Sequence, residues 1–144
     1  MKIGFTCSTF DLFHAGHLLM LEEAKKQCDY LIVGLQTDPT IDRPKEKNKP
    51  IQSVFERWIQ VESCKYVDKV IPYATEKELV DILLSYPIDV RILGEEYATK
   101  NFTGMELPME KYFNKRRHSF STTELRQRVV AAEINKGLNN GSST

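Results

Sequence analysis

Apolar residues along this chain change period repeatedly, from short continuous runs to positions spaced three and four apart. Ile3-Gly4-Phe5-Thr6-Cys7, after Lys2, predicts a first strand over residues 2–7. Leu18, Leu21, Ala24 and Cys28 then mark one face of a helix that starts near Gly16. Tyr30-Leu31-Ile32-Val33-Gly34-Leu35 is almost continuously apolar, as expected of a parallel strand covered on both faces. From Gln36 to Pro50 the pattern breaks into Asp, Pro, Lys and Asn, a charged loop longer than most connections.

Ser53 is placed to cap a helix that carries Val54, Phe55, Trp58, Ile59 and Val61 inward. Asp68-Lys69-Val70-Ile71 predicts a short strand closed by Pro72. Thr75 opens a helix with Leu79, Ile82, Leu83 and Tyr86 on one face. Asp89-Val90-Arg91-Ile92-Leu93 predicts a fourth strand ending at Gly94, and Lys111-Tyr112-Phe113 a fifth. Ser121 or Thr122 caps a last helix with Leu125, Val129 and Ala132 on its buried face.

Strands alternating with helices imply right-handed crossovers. The expected fold is α/β: a single-domain, Rossmann-like, doubly wound parallel sheet of about five strands with helices on both faces. It should occupy residues 1–136, with 137–144 as a flexible polar tail. In such a sheet, functional residues collect at the carboxyl ends of the strands.

Composition narrows the function. A chain of 144 residues makes one domain, able to bury roughly two-thirds of its unfolded surface. Its 20 Lys and Arg balance 20 Asp and Glu, so no basic excess exists to hold a nucleic-acid backbone. Cys7, Cys28 and Cys64 lack C-x-x-C spacing and read as reduced cysteines of a cytoplasmic protein. Ser8, Thr9 and Asp11 interrupt any signal-peptide core, and no apolar run reaches membrane-span length.

The candidate chemistry lies in Ser8-Thr9-Phe10-Asp11-Leu12-Phe13-His14-Ala15-Gly16-His17, between the first strand and the first helix. An open α/β sheet binds phosphates at such a turn. His14 and His17 bracket Gly16, which removes a side chain from the path of a phosphate to the backbone. Taken alone, the H-x-x-H pair also fits two surface histidines or half of a zinc site. Ser121-Thr122-Thr123-Glu124 fits a plain helix cap, or a cap that also binds an anion, with Arg116 and Arg117 upstream. Lys45, Lys47 and Lys49 are a solvated charge run or a mobile clamp over a triphosphate. Gly94-Glu95-Glu96-Tyr97 is an acidic loop or a seat for a base or metal.

Ser8 to His17 resembles the T-F-D-x-x-H-x-G-H signature of the nucleotidyltransferase superfamily, and within it the glycerol-3-phosphate cytidylyltransferases and their small relatives. Gly94-Glu95-Glu96-Tyr97 is similar to that group's G-D-D-W element, and Ser121-Thr122-Thr123 to the end of R-T-E-G-I-S-T-T. Lys49 falls at the loop lysine and Arg57 at the helix arginine. Ser8 stands in place of a glycine, Arg117-His118-Ser119 in place of T-E-G, and Lys65 in place of an arginine.

The resemblance implies transfer of CMP from CTP to a small phosphorylated alcohol such as glycerol 3-phosphate, releasing pyrophosphate, with Mg²⁺ on the triphosphate. It implies catalytic roles for His14, His17, Lys49 and Arg116. Nucleotide contacts would come from Ser8, Thr9, Phe10, Gly16, Gly94, Glu95, Ser121, Thr122 and Thr123, and acceptor contacts from Asp11, Arg57 and Lys65. It also implies a homodimer. Two alternatives fit the same motifs: an adenylyltransferase of the same fold acting on a sugar phosphate or FMN, and a nucleotide-binding module without turnover.

Overall fold

Five parallel strands in the order β3-β2-β1-β4-β5 form the centre of the computed structural model, which describes residues 1–140. They are β1 (Ile3–Ser8), β2 (Tyr30–Gln36), β3 (Lys69–Tyr73), β4 (Val90–Gly94) and β5 (Glu110–Asn114). Helices α1 (Ala15–Lys25), α2 (Val54–Glu62) and α3 (Glu76–Ser85) connect them, a 3-10 helix at Glu95–Thr99 follows β4, and α4 (Thr122–Asn140) closes the described chain. Order reverses between β1 and β4, both paired to neighbours in parallel. That reversal opens the crevice where α/β sheets place ligands. The expected fold class is observed.

Each face of the sheet carries its own core. Phe10, Leu21, Ala24, Leu31, Val33, Leu35, Val61, Val90 and Ile92 pack on the α1/α2 side. Phe5, Ile32, Tyr73, Leu79, Ile82, Leu83 and Ile88 pack on the α3 side. Alternation along β1 decides the assignment of every other side chain, so Phe5 and Cys7 both belong with the α3 layer.

The predicted caps at Ser53 and Thr75 are present: Ser53 Oγ accepts from Glu56 N at 3.1 Å, and Thr75 Oγ1 from Glu78 N at 3.2 Å. Ser121 Oγ accepts from Glu124 N at 3.0 Å, which makes Ser121 the residue whose side chain caps α4.

Several expectations are corrected. β3 runs through Pro72 instead of stopping before it, because β3 is an edge strand and the missing amide N–H forfeits no ladder bond on its open side. On α1 and α2, Leu18, Val54, Phe55 and Ile59 point outward. The α2 positions that are buried are Arg57 and Val61. Val129 and Ala132 of α4 are exposed, so that helix does not lay the expected apolar face on the sheet. α4 also continues through Gly137 to Asn140, over the start of the expected tail. Residues 141–144 of that tail lie outside the described residues. Among the described residues, no helix is long and apolar enough to cross a membrane.

Candidate active site

The turn after β1 is built around two unusual backbone positions. Phe10 and Leu12 have φ of 53° and 50°, a left-handed conformation that side chains rarely adopt. Burial holds Phe10 there, with its ring edge-on to His17 at 5.4 Å between centroids. Leu12 N donates to Gln52 Oε1 at 2.8 Å, while Asp11 accepts from Ile51 N at 2.9 Å and Gln52 N at 3.0 Å. The turn is thereby tied to the segment entering α2.

His14 and His17 are held by the start of α1 itself. His14 Nδ1 accepts from Gly16 N at 3.0 Å, and His17 Nδ1 accepts from His14 N at 3.1 Å. In a neutral ring, an accepting Nδ1 leaves the proton on Nε2. His14 Nε2–H therefore donates to Thr122 Oγ1 at 3.1 Å, and the Thr122 hydroxyl donates onward to the Asp11 carbonyl at 3.2 Å. Nε2–H of His17 is that ring's remaining donor, and the ring lines a cavity shared with His14, Arg116 and Thr122. Burial first, then the neighbouring His14, lowers the His17 pKa from 6.5 to about 3. His14 is lowered too, by burial and then by His118 and Arg116.

The cavity encloses about 530 Å³ over the carboxyl ends of the strands. Arg43, Lys47, Arg91 and Arg116 line it against two carboxylates, Glu76 and Glu96, a balance suited to phosphates. Ser8, Thr9, His14, Gly16, His17, Gly94, Arg116, Ser121 and Thr122 all line it, so both sequence motifs converge on one space. Gly16 has a specific reason to be glycine. A Cβ there would lie 2.8 Å from His14 Cε1 and 2.9 Å from His118 Cε1.

Other predicted site residues lie elsewhere. Arg57 is 1% exposed, and its guanidinium donates to the carbonyls of Thr9, Gln36, Thr37 and Gln52 at 2.6–3.1 Å. It braces the wall behind the cavity and does not line it, because its donors are already used by backbone. Asp11 is buried and occupied by the two amides above, and Phe10 is a core residue behind His17. Glu95 and Thr123 are exposed and outside the wall, where their neighbours Glu96 and Thr122 line it. Lys49 is 81% exposed, 3.8 Å from Asp38, and the loop lysine in the wall is Lys47. Lys65 lies over the Tyr66 ring in a separate groove beside Leu18, Leu19 and Glu22.

The structure adds residues that the sequence reading did not place in the site. His118 reaches Gly16 and stacks on Phe120 with centroids 5.1 Å apart. Gln36, Tyr73 and Arg91 enter from β2, β3 and β4. An arginine inside the otherwise apolar run Val90–Gly94 was the available signal. No three His, Cys, Asp or Glu side chains form a metal cage among the described residues.

A family model described as cytidylyltransferase-like matches residues 5–128. The glycerol-3-phosphate cytidylyltransferase of Bacillus subtilis (strain 168) is 33% identical over 130 residues, covering 90% of this chain and 98% of that protein. The ethanolamine-phosphate cytidylyltransferase of Dictyostelium discoideum is 34% identical over 139 residues, covering 90% of this chain and 38% of its own length. The bifunctional protein HldE of Caulobacter sp. (strain K31) is 35% identical over 107 residues, 74% of this chain. The chain spans only 22% of that larger relative. Among solved structures, a lipopolysaccharide core biosynthesis protein from Thermoplasma volcanium GSS1 shares the fold, with a TM-score of 0.58 at 22% identity, covering 92% of this chain and 89% of that one. With its signature histidines at one cavity and the family model spanning most of its length, the chain belongs to the cytidylyltransferase-like family of nucleotidyltransferases.

Proposed function

We propose that this chain transfers CMP from CTP to a small phosphorylated alcohol, glycerol 3-phosphate or a close relative, and releases pyrophosphate. The observation that carries this reading is the His14–His17 pair, held neutral by burial and facing a cavity with an excess of cations. An oxygen of the acceptor phosphate attacks the α-phosphorus, the bond from that phosphorus to the bridging oxygen breaks, and pyrophosphate leaves with the electron pair. No covalent enzyme intermediate is required, so positioning and charge stabilisation supply the rate.

His17 supplies a hydrogen bond and not a proton. A ring with a pKa near 3 is neutral at pH 7, and its Nε2–H is oriented before substrate binds. His14 is fixed through Thr122, which couples the first motif to the entrance of α4. Arg116 and Ser121 line the cavity at the entrance of α4, and on this reading they and the first amides of that helix hold the leaving phosphates. Bound Mg²⁺ would neutralise triphosphate charge. Of Lys45, Lys47 and Lys49, Lys47 lines the cavity and is the one assigned the clamp over the triphosphate on this reading.

A homodimer is part of the proposal, supported by exposed Leu18, Leu19, Phe55 and Ile59 on α1 and α2. The function is tested by pyrophosphate release with CTP or ATP, against a panel of phosphorylated alcohols. Release that depends on both CTP and an acceptor supports it, and release with ATP alone would move the assignment to an adenylyltransferase.

A further inference from the structure

The cavity has two ends with different chemistry. One end, beside β4 and α4, holds Gly94, Arg116, Ser121 and Thr122. The other lies on the α3 side of the sheet, at the tips of β1, β2 and β3. There Gln36 is 4% exposed, and its Nε2 is buried without a hydrogen-bond partner among the described residues. A buried amide donor left unpaired is costly, and a native protein keeps one where something else completes it.

Gln36 does not stand alone. Arg91 is 3% exposed, lies 5.1 Å over the Phe102 ring, donates to the Thr103 carbonyl and makes no ion pair with any described residue. Arg43 reaches the same end from the long loop, its Nη2 3.0 Å from Glu76 Oε1 and its Nε buried without a partner. Tyr73 and Cys7 complete the floor on either side of Gly34, where a Cβ would lie 3.0 Å from Cys7 Cβ and 3.1 Å from Tyr73 Cε1. Burial keeps both neutral, raising the Cys7 thiol and the Tyr73 phenol above their usual ranges.

Two guanidinium groups face one carboxylate here, and that carboxylate is already paired. The unfilled capacity consists of two donors, the Gln36 amide N–H and Arg43 Nε–H, beside an Arg91 charge that no described carboxylate balances. An ammonium group entering this end would find positive charge, because the cavity's other carboxylate, Glu96, lies against Gly94 at the opposite end. An oxygen-rich group would satisfy each open donor.

We propose that the Gln36–Arg91–Arg43 end is the acceptor subsite, and that it selects a hydroxylated or anionic acceptor while excluding one that bears an ammonium group. This rests on the reading of the cavity as a nucleotidyl-transfer site. It goes beyond that reading because the relatives include enzymes for both glycerol 3-phosphate and ethanolamine phosphate, and it favours the first chemistry.

The experiment measures binding and turnover separately, with glycerol 3-phosphate, ribose 5-phosphate and phosphoethanolamine as probes. Calorimetric titration is performed on the wild type, Gln36→Leu and Arg91→Met, and pyrophosphate release is followed with CTP. The expected result is binding of at least one hydroxylated phosphate at least tenfold tighter than phosphoethanolamine. Gln36→Leu should weaken that binding by about tenfold, and Arg91→Met by at least as much. For Gln36→Leu the CTP-induced thermal shift should be unchanged and the fold intact, because the substitution removes an unpaired polar group. Equal or tighter binding of phosphoethanolamine, or a Gln36→Leu protein that binds the hydroxylated probe as the wild type does, overturns the subsite. Should neither CTP nor ATP shift the melting temperature, the nucleotidyl-transfer reading falls, while the calorimetric comparison still decides what this end of the cavity takes.

Discussion

His14 and His17 stack with their ring centroids 3.9 Å apart, and the backbone amide of His14 donates to His17 Nδ1 at 3.1 Å. One residue thus both covers the other ring and fixes its tautomer. Phe13 lies on the same stack, 5.6 Å from His17. The pair is built by helix capping, so its geometry is complete before any ligand enters.

In the ligand-free protein, imidazole nitrogen shifts in an NMR titration should show His17 as the neutral Nε2–H tautomer from pH 8 down to pH 5. A His17 midpoint near the ordinary 6.5 would contradict the burial argument. Between pH 6.5 and about 3 the unfolded chain takes up a proton at this residue that the folded chain does not. The contribution of His17 is therefore fully present above pH 6.5 and lost as pH falls through that window.

Gly16→Ala should fold and lose most of its turnover. The added methyl would sit under 3 Å from the rings of both His14 and His118, and those rings must move to admit it. We expect a fall of about a hundredfold in kcat, the scale of losing one preorganised donor. Circular dichroism and a melting curve check that the fold survives, and full activity in a folded variant would remove the geometric role given to Gly16.

Arg57→Leu should lower stability instead of acceptor affinity. Four backbone carbonyls would lose their donor inside the protein, a loss of about 3–5 kcal/mol from unsatisfied buried acceptors. Urea unfolding measures it. A stable variant with a selectively raised acceptor KM would restore the substrate-binding role that the family resemblance implies.

Thr122→Val removes the hydroxyl between His14 Nε2 and the Asp11 carbonyl. A fall in kcat of about tenfold is expected, from a single lost hydrogen bond of positioning character. Thr122→Ser should retain most activity. Failure of serine to rescue would point to the methyl group instead of the hydroxyl.

Much of this architecture is legible in the sequence because its signals are local. The continuous run at Tyr30–Gln36 can only be covered on both faces, and Ser53 and Thr75 announce their helices by short-range capping chemistry. The phosphate turn is legible because histidines and glycine sit between strand and helix. Arg57 and Asp11 show what a linear reading misses. A buried arginine that feeds carbonyls from three segments looks, in one dimension, the same as one that meets a substrate. Gln36, Tyr73 and Arg91 were hidden for a different reason: whether the last residue of β2 or β3, or a long side chain from the second position of β4, joins the core or the cavity depends on the register between strands. The outward face of α4 has the same cause, since spacing gives an apolar stripe but not what it meets.

The most direct measurement is pyrophosphate release from CTP and glycerol 3-phosphate with Mg²⁺, in the wild type and in a folded His17→Ala variant. Acceptor-dependent release by the wild type, reduced about a hundredfold or more in the variant, is the predicted result. Wild-type release unaffected by the loss of His17, or no release with any phosphorylated alcohol, would contradict the account.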